Sequence, residues 1–87
     1  MADLDTSFKT AAAEAQTLAK RPDNDTMLQL YALYKQATEG DVSGPKPGFF
    51  DFVGTAKYEA WEKLKGLSAD DAKKKYMDLV KRLGGKI

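Results

Sequence analysis

The sequence has 87 residues, of which 43% are hydrophobic and 31% are charged, and it predicts one globular domain over residues 1–87 with a modest core. Fourteen basic residues are interleaved with thirteen acidic ones, so nucleic acid is not expected as the main partner. The chain has no cysteine and no histidine, which removes disulfides, thiolate zinc sites and the commonest general base and metal ligand. We therefore expect a binding protein rather than an enzyme, without metal or cofactor.

Two further features of the sequence concern location. Met1-Ala-Asp-Leu-Asp5 is acidic and lacks an apolar run, so it does not predict a secretory signal. No stretch approaches the length of a membrane span. A reduced compartment such as the cytoplasm is the expected location.

The first helix is predicted over residues 4–19. Asp3 or Asp5 can cap its start, and Pro22 stops it after the basic pair that begins at Lys20. Its apolar residues recur on one face, which we interpret as structural. They are Leu4, Phe8, Ala11, Ala12, Ala15, Leu18 and Ala19.

The second helix is predicted over residues 25–38, with Asn24 or Asp25 as its cap and Gly40 at its end. At about 100° per residue it carries two adjoining stripes. The core stripe contains Leu30, Leu33 and Ala37, and the second contains Leu28, Tyr31, Tyr34 and Lys35. The second stripe suits a flat aromatic ligand that carries negative charge. The alternative is that the aromatic rings belong to the core and Lys35 extends past them to water.

Residues 40–48 contain two prolines and three glycines, which exclude a helix and disfavour a strand. This loop is either functional or a crossover between helices that run in the same direction. Phe49-Phe-Asp-Phe52 then leads into a third helix, predicted over residues 51–65.

The third helix has one charged residue, Lys57, inside its apolar arc. Because an unpaired buried charge is unfavourable, Lys57 either extends past Trp61 to water or points into a groove that receives an anion. The other apolar residues of the arc are Val53, Ala56, Ala60 and Leu64.

The fourth helix is predicted over residues 69–83, with a capping-box-like start at Ser68 and an end at Gly84. Tyr76 lies at the centre of its apolar stripe. It is either a core residue whose hydroxyl finds some partner, or its hydroxyl reaches the same groove as Tyr31 and Lys57. Four amphipathic helices predict an all-α four-helix protein.

The segment Tyr31-Ala-Leu-Tyr-Lys-Gln-Ala-Thr-Glu-Gly-Asp41 resembles the acyl-CoA-binding protein family, whose signature there is Tyr-x-x-Tyr-Lys-Gln-Ala-Thr-x-Gly-Asp. Co-linear matches cover nearly the whole chain. They include Lys46-Pro-Gly48, Asp51-Phe52, Ala56-Lys57, Ala60-Trp61, Leu64-Lys-Gly66 and Tyr76.

The resemblance implies an antiparallel four-helix bundle with up-down-down-up topology, in which the loop 40–48 is the crossover. It implies that Tyr31, Lys35 and Lys57 hold the ribose 3′-phosphate of coenzyme A, that Tyr34 packs against adenine, and that Tyr76 contacts the ligand. Further candidates for the acyl chain or for secondary contacts are Met27, Leu28, Gln16 and Val53. This sequence departs from common family residues, several of them basic, at Gln16, Val53, Thr55 and Tyr58.

The resemblance implies a non-catalytic, monomeric cytoplasmic carrier that sequesters long-chain fatty acyl-CoA thioesters, with transient contacts to membranes or acyl-CoA-using enzymes. The alternative is a helical protein–protein interaction module that docks a partner on a face formed by Tyr31, Tyr34 and Trp61. Lys57 discriminates between the two, because a hydrophobic docking groove has no need of a lysine in its apolar arc.

Overall fold

The computed structural model describes residues 3–85 and contains four α-helices and no strand in that range. They are α1 (Leu4–Ala15), α2 (Asn24–Glu39), α3 (Phe52–Glu62) and α4 (Ala69–Arg82). The predicted all-α class is confirmed. The N-terminal segment that does not predict a secretory signal includes Met1 and Ala2, and these two residues lie outside the described range. Within the described range, no helix is both long and apolar enough to cross a membrane.

Each helix is preceded by a residue whose side-chain oxygen accepts a hydrogen bond from the backbone N–H three positions later. The four are Asp3 (2.7 Å to Thr6 N), Asp23 (2.8 Å to Thr26 N), Asp51 (2.9 Å to Gly54 N) and Ser68 (3.1 Å to Asp71 N). The caps predicted for α2, Asn24 or Asp25, were wrong. Asp23 is the last residue with extended backbone, so its carboxylate is the one that reaches the free N–H groups of the first turn.

Two helices end earlier than predicted, α1 at Ala15 instead of residue 19 and α3 at Glu62 instead of residue 65. After Ala15 the backbone tightens, and the backbone N–H and the hydroxyl of Thr17 both donate to the carbonyl of Glu14. In a helix that continued, that carbonyl would accept the N–H of Leu18 instead. Residues 63–66 similarly form a turn with hydrogen bonds three residues apart.

Contacts between α1 and α4 show that these two helices run in the same direction. Asp5 pairs with Lys73, and one turn later Phe8 packs against Tyr76. Because later residues of α1 meet later residues of α4, the two axes are parallel.

The pair α2 and α3 is also parallel, whereas α2 and α4 are antiparallel. Lys57 lies over the ring of Tyr31, and one turn further along both helices Lys35 lies over the ring of Trp61. Near its C-terminal end, α2 reaches the start of α4, where Gln36 Nε2 donates to the carbonyl of Leu67 at 2.8 Å. The up-down-down-up topology is therefore confirmed, and the helices pack in the spatial order α1, α4, α2, α3.

The core lies where α4 is held between α1 and α2. Its buried hydrophobic residues are Phe8, Ala11, Leu30, Leu33, Ala37, Ala72, Tyr76 and Val80. A hydrogen-bonded polar cluster lies at one end of this core. Buried Gln36 donates to Asp41 Oδ1 at 2.8 Å, and the same oxygen accepts the N–H of Gly66 at 2.8 Å. These bonds tie the end of α2 to the connection between α3 and α4.

Acid is expected to destabilise the fold through these carboxylates. The N–H of Gly66 and the amide of Gln36 lower the pKa of Asp41, and hydrogen bonds from Thr26 lower the pKa of Asp23. A lowered folded-state pKa means that the stabilisation is complete above the unfolded value of about 4 and is lost as the pH falls below it. Urea unfolding between about pH 2.5 and pH 6 should show this loss, and Asp41→Asn should flatten the profile. An unchanged profile would contradict the role of Asp41.

Gly54, in the first turn of α3, is expected to resist replacement by alanine. A Cβ at Gly54 would lie 2.3 Å from Asp51 Oδ2, so the side chain would displace the cap. Glycine to alanine inside a helix normally stabilises by up to about 1 kcal/mol, whereas losing a cap costs about 0.5–2 kcal/mol. We expect Gly54→Ala to lower the free energy of urea unfolding, or at best to leave it unchanged. In an Asp51→Ala background, with no cap to lose, the same change should stabilise. Stabilisation in the native background would contradict the account.

Candidate functional site

The exposed ammonium group of Lys57 lies over the half-buried ring of Tyr31. Its Nζ atom is 5.2 Å from the ring centroid, a distance typical of a cation–π contact. The parallel packing of α2 and α3 sets this pair, because it places the middle turns of the two helices side by side. One alternative predicted for Lys57 was that it extends past Trp61 to water. In the structure Lys57 lies over Tyr31, and the lysine over Trp61 is Lys35. The pair offers a cation and a phenol to an anion at the protein surface.

Lys35 lies one turn further along, with Nζ 5.2 Å from the centroid of the Trp61 ring. It also forms an ion pair with Glu39, and the hydrogen bond that its ammonium group donates to the Glu39 carboxylate is the main cause of the raised pKa of Lys35. Trp61 itself is only 6% exposed, and its Nε1–H donates to the carbonyl of Gly40 at 2.8 Å. A buried tryptophan cannot form part of a docking face. The alternative interaction module built on Tyr31, Tyr34 and Trp61 is therefore not supported.

A cluster of three aromatic rings joins α1, α2 and α4. The ring of Tyr34 stacks on that of Phe8 with centroids 5.5 Å apart, and Tyr76 meets Phe8 edge-on at 5.2 Å. Tyr76 is buried, and that burial raises the pKa of its hydroxyl, with a smaller contribution from the charge interaction with Tyr34. Tyr34 remains 43% exposed. The other two rings therefore support the ring of Tyr34 from below and leave it partly exposed to solvent. A flat nucleobase can stack on a ring held in this way.

The five predicted ligand residues fall into two groups that meet on α2. Lys57 joins Tyr31 and Lys35 at the α2–α3 contact, whereas Tyr76 joins Tyr34 on the side of α4. Among residues 3–85, no hydrogen bond, ion pair or ring contact connects Tyr76 to Tyr31 or Lys57. The structure therefore places Tyr76 in the core, where it supports Tyr34.

Two of the four secondary candidates extend the α2–α3 edge. Met27 precedes Tyr31 by one turn and is 39% exposed, and Val53 precedes Lys57 by one turn and is 67% exposed. Because α2 and α3 are parallel, the two side chains lie on neighbouring turns of the same edge. Gln16 lies elsewhere, at the C-terminal cap of α1, a helix that packs along α4 and meets α2 through the contact of Phe8 with Tyr34.

Leu28, the remaining candidate, lines a groove of about 840 Å³ between α2, α3 and α4. Gln29 and Leu33 also line it, and each is two residues from Tyr31, so the groove opens on roughly the opposite side of α2 from the Tyr31–Lys57 pair. Its floor is apolar and its rim carries charges of both signs. This groove was not predicted, because three helices form it and no single periodicity describes it.

Sequence reasoning also missed two supporting residues. Phe8 was interpreted as purely structural, yet its ring carries both Tyr34 and Tyr76. Glu39, which pairs with Lys35, was not singled out, although its spacing of four residues on a helix is a usable signal. No group of three or more side chains that could hold a metal ion occurs in the described part of the chain.

Comparisons with known proteins agree on one family. Residues 5–80 match the family model described as Acyl CoA binding protein. The chain is 53% identical over 77 residues to acyl-CoA-binding protein homolog 1 of Caenorhabditis elegans, covering 88% of this chain and 90% of that protein. It is 50% identical over 76 residues to enoyl-CoA delta isomerase 2 of Rattus norvegicus, covering 87% of this chain but 19% of that protein. The crystal structure of acyl-CoA-binding protein 2 from Oryza sativa superposes with a TM-score of 0.89 at 38% identity, covering 93% of this chain and 90% of that one.

Proposed function

The chain belongs to the acyl-CoA-binding protein family, and we propose that it binds long-chain fatty acyl-CoA thioesters and carries them without changing them chemically. The family match over residues 5–80 carries this proposal. The likeness to the isomerase covers a fifth of that enzyme, so it supports a shared binding domain rather than a shared reaction.

We assign recognition of the coenzyme A head group to α2 and α3. Lys57 and Tyr31 would hold the ribose 3′-phosphate with Lys35, whose ammonium group would exchange Glu39 for the phosphate. Both lysines already lie over aromatic rings, which limits the side-chain freedom that is lost on binding. Tyr34 would stack on adenine, and Tyr76 would keep that ring in place.

The acyl chain would supply much of the affinity. A buried methylene is worth about 0.8 kcal/mol, so a long chain gains on the order of ten kcal/mol before ordering costs. A hydrogen bond to a charged group contributes only about 1.5–3 kcal/mol. We assign Met27 and Val53 to the chain, because they are exposed apolar residues that precede Tyr31 and Lys57 by one turn. Leu28 is a weaker assignment, because it lines the groove on the other side of α2. Gln16 is the weakest assignment, since it caps the end of α1, about two turns beyond the contact of Phe8 with Tyr34.

The test of this proposal is titration calorimetry with palmitoyl-CoA at low salt. Lys57→Ala is expected to weaken binding by about 1–3 kcal/mol, because one charged hydrogen bond to the phosphate is lost. Lys74→Ala is the matched control: Lys74 is also exposed and lies two residues from Tyr76, on the opposite side of α4. Equal affinity of wild type and Lys57→Ala would contradict the assignment of Lys57.

The monomeric state and the cytoplasmic location expected from the sequence remain part of the proposal. Sedimentation velocity of the purified protein and fractionation of cells test them separately. Transient contact with enzymes that use acyl-CoA is likewise proposed rather than observed.

A further inference from the structure

An apolar patch covers the start of α3. Phe49, Phe50, Phe52 and Val53 are 84%, 84%, 74% and 67% exposed, and we call these four residues the phenylalanine patch. The rings of Phe49 and Phe50 meet edge-on with centroids 5.2 Å apart. Exposed apolar patches on globular proteins mark sites of interaction with proteins, membranes or ligands. No role in the head-group site accounts for these three aromatic residues.

The backbone under the patch is fixed by hydrogen bonds, so the exposure is not a consequence of a loose loop end. The N–H of Asp51 donates to the carbonyl of Gly48 at 3.0 Å, and the carboxylate of Asp51 caps α3 at 2.9 Å from Gly54 N. Asp51 lies between the phenylalanines in sequence. Because the Asp51 cap fixes this part of the backbone, the apolar side chains before and after Asp51 project outward at the first turn of α3.

The patch is continuous with the edge that leads to the proposed ligand site. Val53 belongs to the patch and precedes Lys57 by one turn of α3. On the neighbouring helix, exposed Met27 precedes Tyr31 by one turn. An apolar path therefore runs from the Tyr31–Lys57 pair, past Met27 and Val53, to the phenylalanines.

We infer that the phenylalanine patch inserts into the surface of a phospholipid bilayer and brings the open edge of α2 and α3 against the membrane. The inference rests on the proposed function, since an acyl-CoA is an amphiphile whose acyl chain partitions into bilayers. Docking by the patch would let the acyl chain pass between bilayer and protein along Met27 and Val53 without crossing water.

The composition of the patch favours lipid over a protein partner. Four side chains are far fewer than the roughly 20–30 residues that each side of a stable protein interface contributes. The patch also lacks tyrosine, tryptophan and arginine, which supply most of the energy in such interfaces. Phenylalanine and valine present no polar group that would need a partner inside a bilayer.

The phenylalanine patch is apolar, so anionic lipid is not required for its insertion. Lys46 pairs with Glu59 at 3.2 Å, and the carboxylate of Asp51 is engaged in capping α3. The four residues of the phenylalanine patch carry no charge themselves, so their insertion is driven by apolar burial. We therefore expect binding to vesicles of phosphatidylcholine alone, with little dependence on salt.

The experiment measures co-flotation of the ligand-free protein with phosphatidylcholine vesicles. Replacing both outermost residues, in Phe49→Ser/Phe50→Ser, should lower the partition coefficient about tenfold or more, because two apolar rings leave the bilayer. The double variant Phe49→Leu/Phe50→Leu is the matched control and should retain most of the binding. In a further variant, Phe50→Trp, the added tryptophan should shift its emission to the blue with vesicles and be quenched by brominated lipid. Both outer positions lie outside the proposed ligand site, so the affinity of each variant for palmitoyl-CoA in solution should stay within about twofold.

Several results would overturn the inference. The inference is contradicted if wild-type protein does not float, or if the serine variant floats as wild type does. Sedimentation velocity without lipid could instead show a dimer that the serine variant abolishes, which would make the patch an interface between copies of this chain. Failure of the proposed function looks different: vesicle binding would persist, while palmitoyl-CoA would not bind in solution.

Discussion

Replacing Trp61 by alanine is expected to lower the free energy of unfolding by about 3–5 kcal/mol, as for other buried aromatic residues. Trp61 is 6% exposed and is the buried residue of α3. Its ring carries the ammonium group of Lys35, and its Nε1–H donates to Gly40 at the end of α2. A loss of this size is a large fraction of the 5–15 kcal/mol that typically stabilises a domain. Denaturant unfolding followed by circular dichroism measures it.

Trp61→Phe is the matched control for this prediction. It retains most of the buried ring but removes the donor to Gly40, so it should cost about 0.5–1.5 kcal/mol, the net worth of a typical hydrogen bond, plus a small packing loss. Thermal unfolding should therefore rank wild type, Trp61→Phe and Trp61→Ala in that order. An alanine variant as stable as wild type would contradict the placement of Trp61 between α2 and α3.

The double variant Lys35→Ala/Lys57→Ala is expected to bind long-chain acyl-CoA about 2–6 kcal/mol more weakly than wild type, because two charged contacts to the phosphate are lost. The two lysines lie one turn apart along the parallel helices α2 and α3. If both contact one phosphate, their contributions are coupled, and the double loss differs from the sum of the single losses. Calorimetry at several salt concentrations measures all four proteins.

Salt and circular dichroism provide the controls for this cycle. The salt dependence of binding should decrease with each lysine removed, because exposed charges are screened. Unchanged far-ultraviolet spectra would show that the variants remain folded. A double variant that binds as tightly as wild type would contradict the assignment of both lysines.

The helices and their inward faces could be predicted because each depends on local signals. Periodicity placed Leu30, Leu33 and Ala37 on the core face of α2, and all three are buried. Gly40 was predicted to end α2, and its φ of 80° is a conformation that other residues rarely adopt. Helix ends without such a signal were less predictable. At the end of α1, the hydroxyl and the N–H of Thr17 both donate to the carbonyl of Glu14.

The partners of the site residues could not be predicted, because they depend on the register between helices. The pattern of α3 placed Lys57 and Trp61 on one arc but could not assign each of them to a residue of α2. The structure pairs Lys57 with Tyr31 and Lys35 with Trp61. The role of Phe8 could not be predicted either, because its ring contacts that of Tyr34 only when α1, α2 and α4 pack together.

The exposure of the phenylalanine patch could not be foreseen for a related reason. Phe49-Phe-Asp-Phe52 is what a buried helix start would also contain, and the sequence alone does not distinguish the two cases. The spatial order α1, α4, α2, α3 leaves α3 with one helical neighbour. Its first turn therefore projects beyond the core.

The most direct test of the central claim is calorimetric titration of the delipidated protein with palmitoyl-CoA, palmitate and free coenzyme A in parallel. If the head group and the acyl chain are recognised together, the thioester binds one to one and at least about a hundredfold more tightly than either fragment. If palmitate alone binds as tightly as the thioester, the tyrosine–lysine site contributes nothing and the claim is contradicted.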